Sequence, residues 1–298
     1  MTWLDSIQMV SANEIAVITK AVIPVAGLGT RFMPVTRSVP KALLPVLNIP
    51  LIQYAVDDAV EAGITDIAIV EDTKSVGSYF HSMPDLEERF RQGGRDELAD
   101  QMVEISSKAR ITSIKQLEPL GLGHAILLAK NFIADEPFVV ILPDEILWGD
   151  HSSTAQILDV RDRYGGNVIA VTETSWDDVH TKGIVAGPSV EPNVIAIEEM
   201  VEKPKRQDAP SNLAIIGRYA LEPSVFDFLS QQRRGAGGEI QLTDAIIECM
   251  DDLPTHAVTV DAARYDAGVP EGMFGASLHQ AAKDPIMRQM IVDFAAQL

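Results

Sequence analysis

Between positions 20 and 45 the chain reads KAVIPVAGLGTRFMPVTRSVPKALLP. An apolar run, Ala21-Val22-Ile23-Pro24-Val25, empties into the glycine turn Ala26-Gly27-Leu28-Gly29-Thr30-Arg31, and Lys41 follows ten residues later between Pro40 and Pro45. Backbone N–H groups approach an anion only where no Cβ intervenes, and a fixed cation balances its charge. A strand that ends in a glycine loop and delivers a lysine is therefore a phosphate-holding pattern of α/β proteins. Neither common version fits. A dinucleotide fingerprint needs glycine at position 32, which is Phe32, and a P-loop needs Gly-Lys-Ser/Thr. The loop is a nucleotide site of another type or, more plainly, a strand-to-loop turn.

Four further segments carry polar groups at element ends. In Gln116-Leu117-Glu118-Pro119-Leu120-Gly121-Leu122-Gly123-His124, the glycines let a ligand near the backbone, and Gln116 offers the donor and acceptor that suit a pyrimidine edge. The plainer alternative is a glycine-softened helix start. Leu142-Pro143-Asp144-Glu145 follows the most apolar run, and Tyr265-Asp266-Ala267-Gly268 has a similar setting. Two aspartates at one sheet edge suit Mg²⁺, which takes one or two carboxylates plus phosphate oxygens. An acidic N-cap is the alternative, and position favours Asp144 over Glu145 as the ligand. In Val201-Glu202-Lys203-Pro204, Glu202 can accept from sugar hydroxyls and Lys203 can meet a phosphate as a point charge. On an exposed strand the same residues are ordinary alternating charge. The run from Gly235 to Asp244 is a glycine loop feeding a helix, open to ligand contact or to simple flexibility. The six histidines show no metal spacing, no serine–histidine–acid set is evident, and Cys249 reads as core.

These residues need a scaffold that brings them to one edge. Strands are expected over 20–25, 66–70, 110–115, 138–142, 167–172, 213–220 and 256–261. Helices are expected over 51–62, 85–107, 122–130, 153–164, 223–230, 240–250 and 272–297. Near-continuous Val/Ile runs separated by helices predict an α/β fold, a mostly parallel sheet with helices on both faces and ligands at the carboxyl ends of its strands. Over 180–215 the pattern loosens into glycines and prolines, which predicts an inserted antiparallel segment. The tail after 272 is amphipathic and reads as core packing or an oligomer contact.

Composition bounds the partners. The chain has 298 residues and a net charge of −19, from 24 basic and 43 acidic side chains. Such a surface disfavours nucleic acid and anionic lipid, and it repels a nucleotide unless cations or a metal reverse the field locally. No apolar run is long enough to span a membrane. The first twenty residues lack a basic n-region, so no signal peptide is expected, and the single cysteine points to a reducing cytoplasm.

The order of motifs, AVIPVAGLGTRF, PLIQYAVD, EPLGLGHA, LPDE, VEKP, APSNLAIIGRYAL, GAGGEIQLTDAI and RYDAG, resembles the bacterial UTP–glucose-1-phosphate uridylyltransferases from about residue 20 to 285. The resemblance implies a Rossmann-like mixed, mostly parallel sheet of the nucleotide-diphospho-sugar transferase type, with a small antiparallel sugar-binding insertion. It implies a nucleotidyltransferase domain over 20–268 and a C-terminal helical segment (269–298) used to form a homodimer or homotetramer, while residues 1–19 are an N-terminal extension added to the family pattern. The implied reaction joins UTP to glucose 1-phosphate, giving UDP-glucose and pyrophosphate by Mg²⁺-assisted in-line attack without a covalent intermediate. Ala26, Gly27 and Gly29 then line the nucleotide, Arg31 faces the leaving pyrophosphate and Lys41 stabilises the phosphates. Gln116 and Gly121 read uracil, Asp144 and Asp266 hold Mg²⁺, and Gly183, Glu202 and Lys203 take the sugar and its phosphate beside Gly217.

The chain also departs from that family. Ala42 replaces an acidic neighbour of the lysine, Pro270 stands where a cation is usual, and 71–82 drifts from a basic loop. Those departures leave open a weakly active or regulatory paralogue, and a transferase for dTTP or another hexose 1-phosphate.

Overall fold

The computed structural model describes residues 16–73 and 75–298. Most of the expected N-terminal extension, and Lys74 within the drifting loop, lie outside the described residues.

The strand Lys20–Pro24 runs parallel to Asp66–Glu71 on one side and to Phe138–Ile141 on the other, and Arg110–Lys115 continues the parallel set at the edge. Beyond Phe138–Ile141 comes Leu213–Leu221, antiparallel to it and to Asn167–Glu173, and Thr255–Thr259 then pairs in parallel with Asn167–Glu173. The sheet is mixed, and its glycine loop, Gln116 and Asp144 all follow carboxyl ends of parallel strands.

Alternation along the strands explains the layers. Ala21, Ile23, Val139 and Ile141 face a core shared with the helices Leu51–Glu61 and Ser153–Tyr164. Val22, Phe138 and Val140 face the opposite core, built with Leu122–Leu128, Val225–Leu229 and Leu242–Cys249. Every residue of Phe138–Ile141 is fully buried, because a strand covered on both faces must be apolar throughout. Cys249 lies in the second core as expected, and burial pushes its thiol up to about 11.

The expected helix over 85–107 is in fact two, Pro84–Gln92 and Asp96–Ser107, interrupted at Gly93-Gly94 where Gly94 has φ +67°. The tail likewise breaks into Pro270–Ala281 and Pro285–Ala295, because Asp284 caps the second helix through Ile286 N and Met287 N and Pro285 occupies its first turn. Periodicity ran through both breaks, but backbone chemistry ended the helices.

The loosened segment forms four strands, Gly183–Ala186, Ser189–Glu191, Val194–Ala196 and Glu199–Glu202, all in antiparallel pairings and joined to the main sheet. A separate antiparallel ladder pairs Glu145–Trp148 with Ala263–Asp266.

Candidate active site

A cavity of about 540 Å³ opens at the carboxyl ends of the Lys20–Pro24 and Phe138–Ile141 strands. Ala26, Gly27, Gly29, Lys41, Gln116, Gly121 and Asp144 all line it. A Cβ on Gly27 would meet nothing within 4 Å, so its backbone faces open space. Gly29 has φ +61°, and its carbonyl accepts from Thr36 Oγ1 at 2.9 Å, which holds the loop folded over the segment that carries Lys41. Arg31, by contrast, is exposed and lines a second cavity.

Gln116 is buried, and its amide nitrogen contacts His124 Nδ1 at 2.9 Å and donates to the Gly121 carbonyl at 3.3 Å. His124 lacked metal spacing and was missed; here it orients the amide. Gly121 has φ +109°, and any Cβ there would sit 2.7 Å from the Ile240 carbonyl. Ile240 N donates to Leu120 O, and Gly123 N donates to Ile240 O, both at 2.8 Å. The second glycine loop, 235–244, is thus tied by its backbone to the first, and Glu239 reaches the cavity wall.

Asp144 does not cap a helix, since the element that follows is the strand Glu145–Trp148. The ladder pairs Glu145 with Asp266, and Ala267 N donates to the Asp144 carbonyl at 2.7 Å. Two distant aspartates are thereby brought together. A Cβ on Gly268 would stand 2.8 Å from Asp266 Oδ1 and 2.9 Å from Asp144 Oδ2, so the two oxygens flank a single point. Glu145 is occupied elsewhere: Arg264 grips both its oxygens at 2.7 Å, while burial pushes its carboxyl above the ordinary range. Among the described residues no group of three or more His, Cys, Asp or Glu is placed to hold a metal. The pair of hard oxygen donors beside Gly268 fits Mg²⁺ if phosphate and water complete the shell.

The second cavity, about 270 Å³, shares Asp144, Leu122, Leu142 and Glu239 with the first. Gly183, Glu202, Lys203, Gly217, Asp266, Arg31 and Lys182 line it. Glu202 accepts from Thr243 Oγ1 at 2.8 Å, a partner supplied by the second glycine loop's helix. Two glycines line the floor, and of the two it is Gly217 whose backbone demands glycine. A Cβ on Gly183 would lie 2.9 Å from Ile215 Cδ1, and Gly217 (φ +73°) would press Leu142 at 2.8 Å. Lys203 has φ +50°, a left-handed conformation that L residues rarely adopt.

Behind the site Asp58 is buried and accepts from Ser152, Ser153 and Thr154 hydroxyls and from Arg218 Nε at 2.8 Å. Burial raises this carboxyl, but Arg218 and the hydroxyls outweigh it and the net shift is downward. Arg218 also donates to the Leu142 carbonyl at 3.1 Å, one residue before Pro143-Asp144. Neither residue carried a motif, because their partnership depends on strand order.

The departures also have a structural setting. Ala42 is buried in the core and lines the first cavity, while Lys41 pairs with Asp144 at 2.5 Å. Pro270 occupies the first turn of its helix, and Lys182 and Arg264 each lie 3.8 Å from Asp266 Oδ2. In the drifting loop, buried Glu71 accepts from Val76 N, Gly77 N and Lys115.

A family model described as nucleotidyl transferase matches residues 20–283. The chain is 41% identical over 283 residues to a UTP–glucose-1-phosphate uridylyltransferase of Staphylococcus haemolyticus, covering 94% of this chain and 98% of that one. It is 42% identical over 279 residues to the UTP–glucose-1-phosphate uridylyltransferase YngB of Bacillus subtilis, covering 93% and 94%. A crystal structure of UDP-glucose pyrophosphorylase complexed with UDP-glucose is similar with TM-score 0.81 at 38% identity, covering 90% of this chain and all (100%) of that one. UTP-bound UGPase from Acinetobacter baumannii is similar with TM-score 0.85 at 34% identity, covering 95% and 100%.

Proposed function

Because the chain belongs to the nucleotidyl transferase family, we propose that it transfers the uridylyl group of UTP to glucose 1-phosphate, giving UDP-glucose and pyrophosphate. One observation carries this: two cavities meet at Asp144, one with a glycine loop and a held glutamine, the other with Glu202 and Lys203. A nucleoside triphosphate and a sugar phosphate placed in them would present their phosphates to each other at the junction. The relatives' substrates support the same assignment.

The sugar phosphate oxygen attacks the α-phosphorus as the bond to pyrophosphate breaks, so no enzyme nucleophile is needed and positioning supplies most of the rate. Ala26, Gly27 and Gly29 open the backbone to the nucleotide, and Lys41 balances phosphate charge. Arg31 meets the leaving pyrophosphate. Gln116, oriented by His124, reads the uracil edge above Gly121. Glu202 receives sugar hydroxyls over the floor of Gly183 and Gly217, and Lys203 holds the sugar phosphate. Asp144 and Asp266 would hold Mg²⁺, which when bound neutralises charge building on the phosphate oxygens.

Exposed Phe274, Met290 and Phe294 on the two C-terminal helices support a second proposal: residues 269–298 form a self-association surface beside a transferase unit over 20–268, giving a homodimer or homotetramer. These three side chains are not core, but Met273 and Ala276 of the first helix pack with Val46, Leu51 and Ile146, so the core half of the sequence expectation holds there. No helix among the described residues is long and apolar enough to cross a membrane, and the one cysteine is a buried thiol, which supports a cytoplasmic setting.

The test follows pyrophosphate release with Mg²⁺, glucose 1-phosphate and either UTP or dTTP. UTP is expected to be preferred: the base methyl is worth roughly 1–3 kcal/mol in a pocket, and dTTP also lacks the 2′-hydroxyl. No release with either nucleotide would overturn the assignment, and equal rates would overturn the uridylyl preference.

A further inference from the structure

Lys182 precedes Gly183 at the mouth of the second cavity, and no sequence motif singled it out. The register Glu202↔Gly183 makes Lys182 and Lys203 cross-strand neighbours, and Lys203 N donates to the Lys182 carbonyl at 3.0 Å. Like charges placed opposite each other on a ladder repel. Both side chains nevertheless line the same cavity, and that of Lys182 is only 17% exposed.

Each lysine is balanced by a loosely held carboxylate. Lys203 Nζ is 3.3 Å from Glu202 Oε1, and Lys182 Nζ is 3.8 Å from Asp266 Oδ2. Arg264 stands at the same 3.8 Å from Asp266 but is gripped by Glu145 at 2.7 Å, so neither cation holds the Asp266 carboxylate closely. Under the proposed function both carboxylates have other work, Glu202 with sugar hydroxyls and Asp266 with the metal. Filling the site would then leave two adjacent lysines without counter-ions over one small cavity, an arrangement that a phosphate dianion satisfies.

We propose that Lys182 is a substrate-binding residue that, with Lys203, clamps the phosphate contributed by the sugar 1-phosphate. The proposal rests on the uridylyl-transfer assignment above and adds to it the residue that selects a phosphorylated sugar. Lys182 exchanges its Asp266 partner for phosphate oxygens when the site fills, with no bond made or broken.

The phosphate in question is the one that UDP-glucose carries and UMP lacks. Calorimetric titration of both ligands into wild-type protein, Lys182→Met and Lys182→Arg tests the clamp without turnover. Loss of a charge-assisted contact should weaken UDP-glucose binding by about tenfold or more in Lys182→Met, leave UMP binding unchanged, and be partly restored in Lys182→Arg. In turnover, KM for glucose 1-phosphate should rise in Lys182→Met while KM for UTP stays put. UDP-glucose affinity unchanged by Lys182→Met would overturn the clamp, as would equal loss for both ligands. If wild-type protein binds neither ligand, the functional assignment itself fails, a result distinct from either of those.

Discussion

Gly268 shows how closely the chemistry depends on single atoms. The position a Cβ would take there lies within 3 Å of both Asp144 Oδ2 and Asp266 Oδ1. Gly268→Ala should push the carboxylates apart without removing either, and misplacement of that size costs roughly 10²-fold in turnover. Asp144→Ala and Asp266→Ala should abolish activity. Steady-state pyrophosphate release, with folding checked by circular dichroism, measures all three; a near-normal rate in either aspartate variant removes that residue from the metal pair. The residues legible in sequence were those whose meaning is local: the glycine loop, Gln116, and Asp144 after an apolar strand. Lys182 was not, because only the ladder register sets it beside Lys203.

At the level of elements, the corner after Phe138–Ile141 is held by Leu213–Leu221, whose Arg218 ties the Leu142 carbonyl to Asp58 on the Leu51–Glu61 helix. Asp58→Asn would leave the Arg218 guanidinium buried without its counter-charge, and breaking such a pair costs roughly 3–5 kcal/mol at neutral pH. The pH dependence has a definite sign. The folded Asp58 carboxyl titrates below its ordinary value, so its contribution is present above about pH 4 and is lost as pH falls through the folded-state pKa. Urea unfolding from pH 7 to 3 should show a full gap between wild type and variant at pH 7 that narrows below about pH 4. A gap independent of pH would mean that the Asp58 charge is not what holds the corner. Strand positions and helix faces were largely readable from periodicity, because central strands such as Phe138–Ile141 and Leu213–Leu221 are buried on both faces. The direction of Leu213–Leu221 and the breaks at Gly93-Gly94 and Asp284-Pro285 were not, since pairing partners and capping geometry decide them.

For the whole molecule, a net charge of −19 would repel a triphosphate, yet Arg31, Lys41, Lys182 and Lys203 converge on two joined cavities. The scarce cations are spent where anions must collect. The other surface feature is the apolar face of Pro285–Ala295, where Met290 and Phe294 are each about two-thirds exposed (65% and 64%). A Met290→Glu, Phe294→Glu double variant should run as a smaller species than wild type in size-exclusion chromatography with light scattering; a monomeric wild type would contradict self-association. That face was legible as amphipathic, but whether it packed inward or outward required the fold.

Direct transfer across the junction at Asp144 requires both cavities to be filled at once. Isotope exchange between labelled pyrophosphate and UTP tests this in a single experiment. Label should enter UTP only when glucose 1-phosphate is also present. Exchange with UTP alone would reveal a uridylylated enzyme, and no exchange under any condition would deny the reaction; either result would contradict direct transfer between the two cavities.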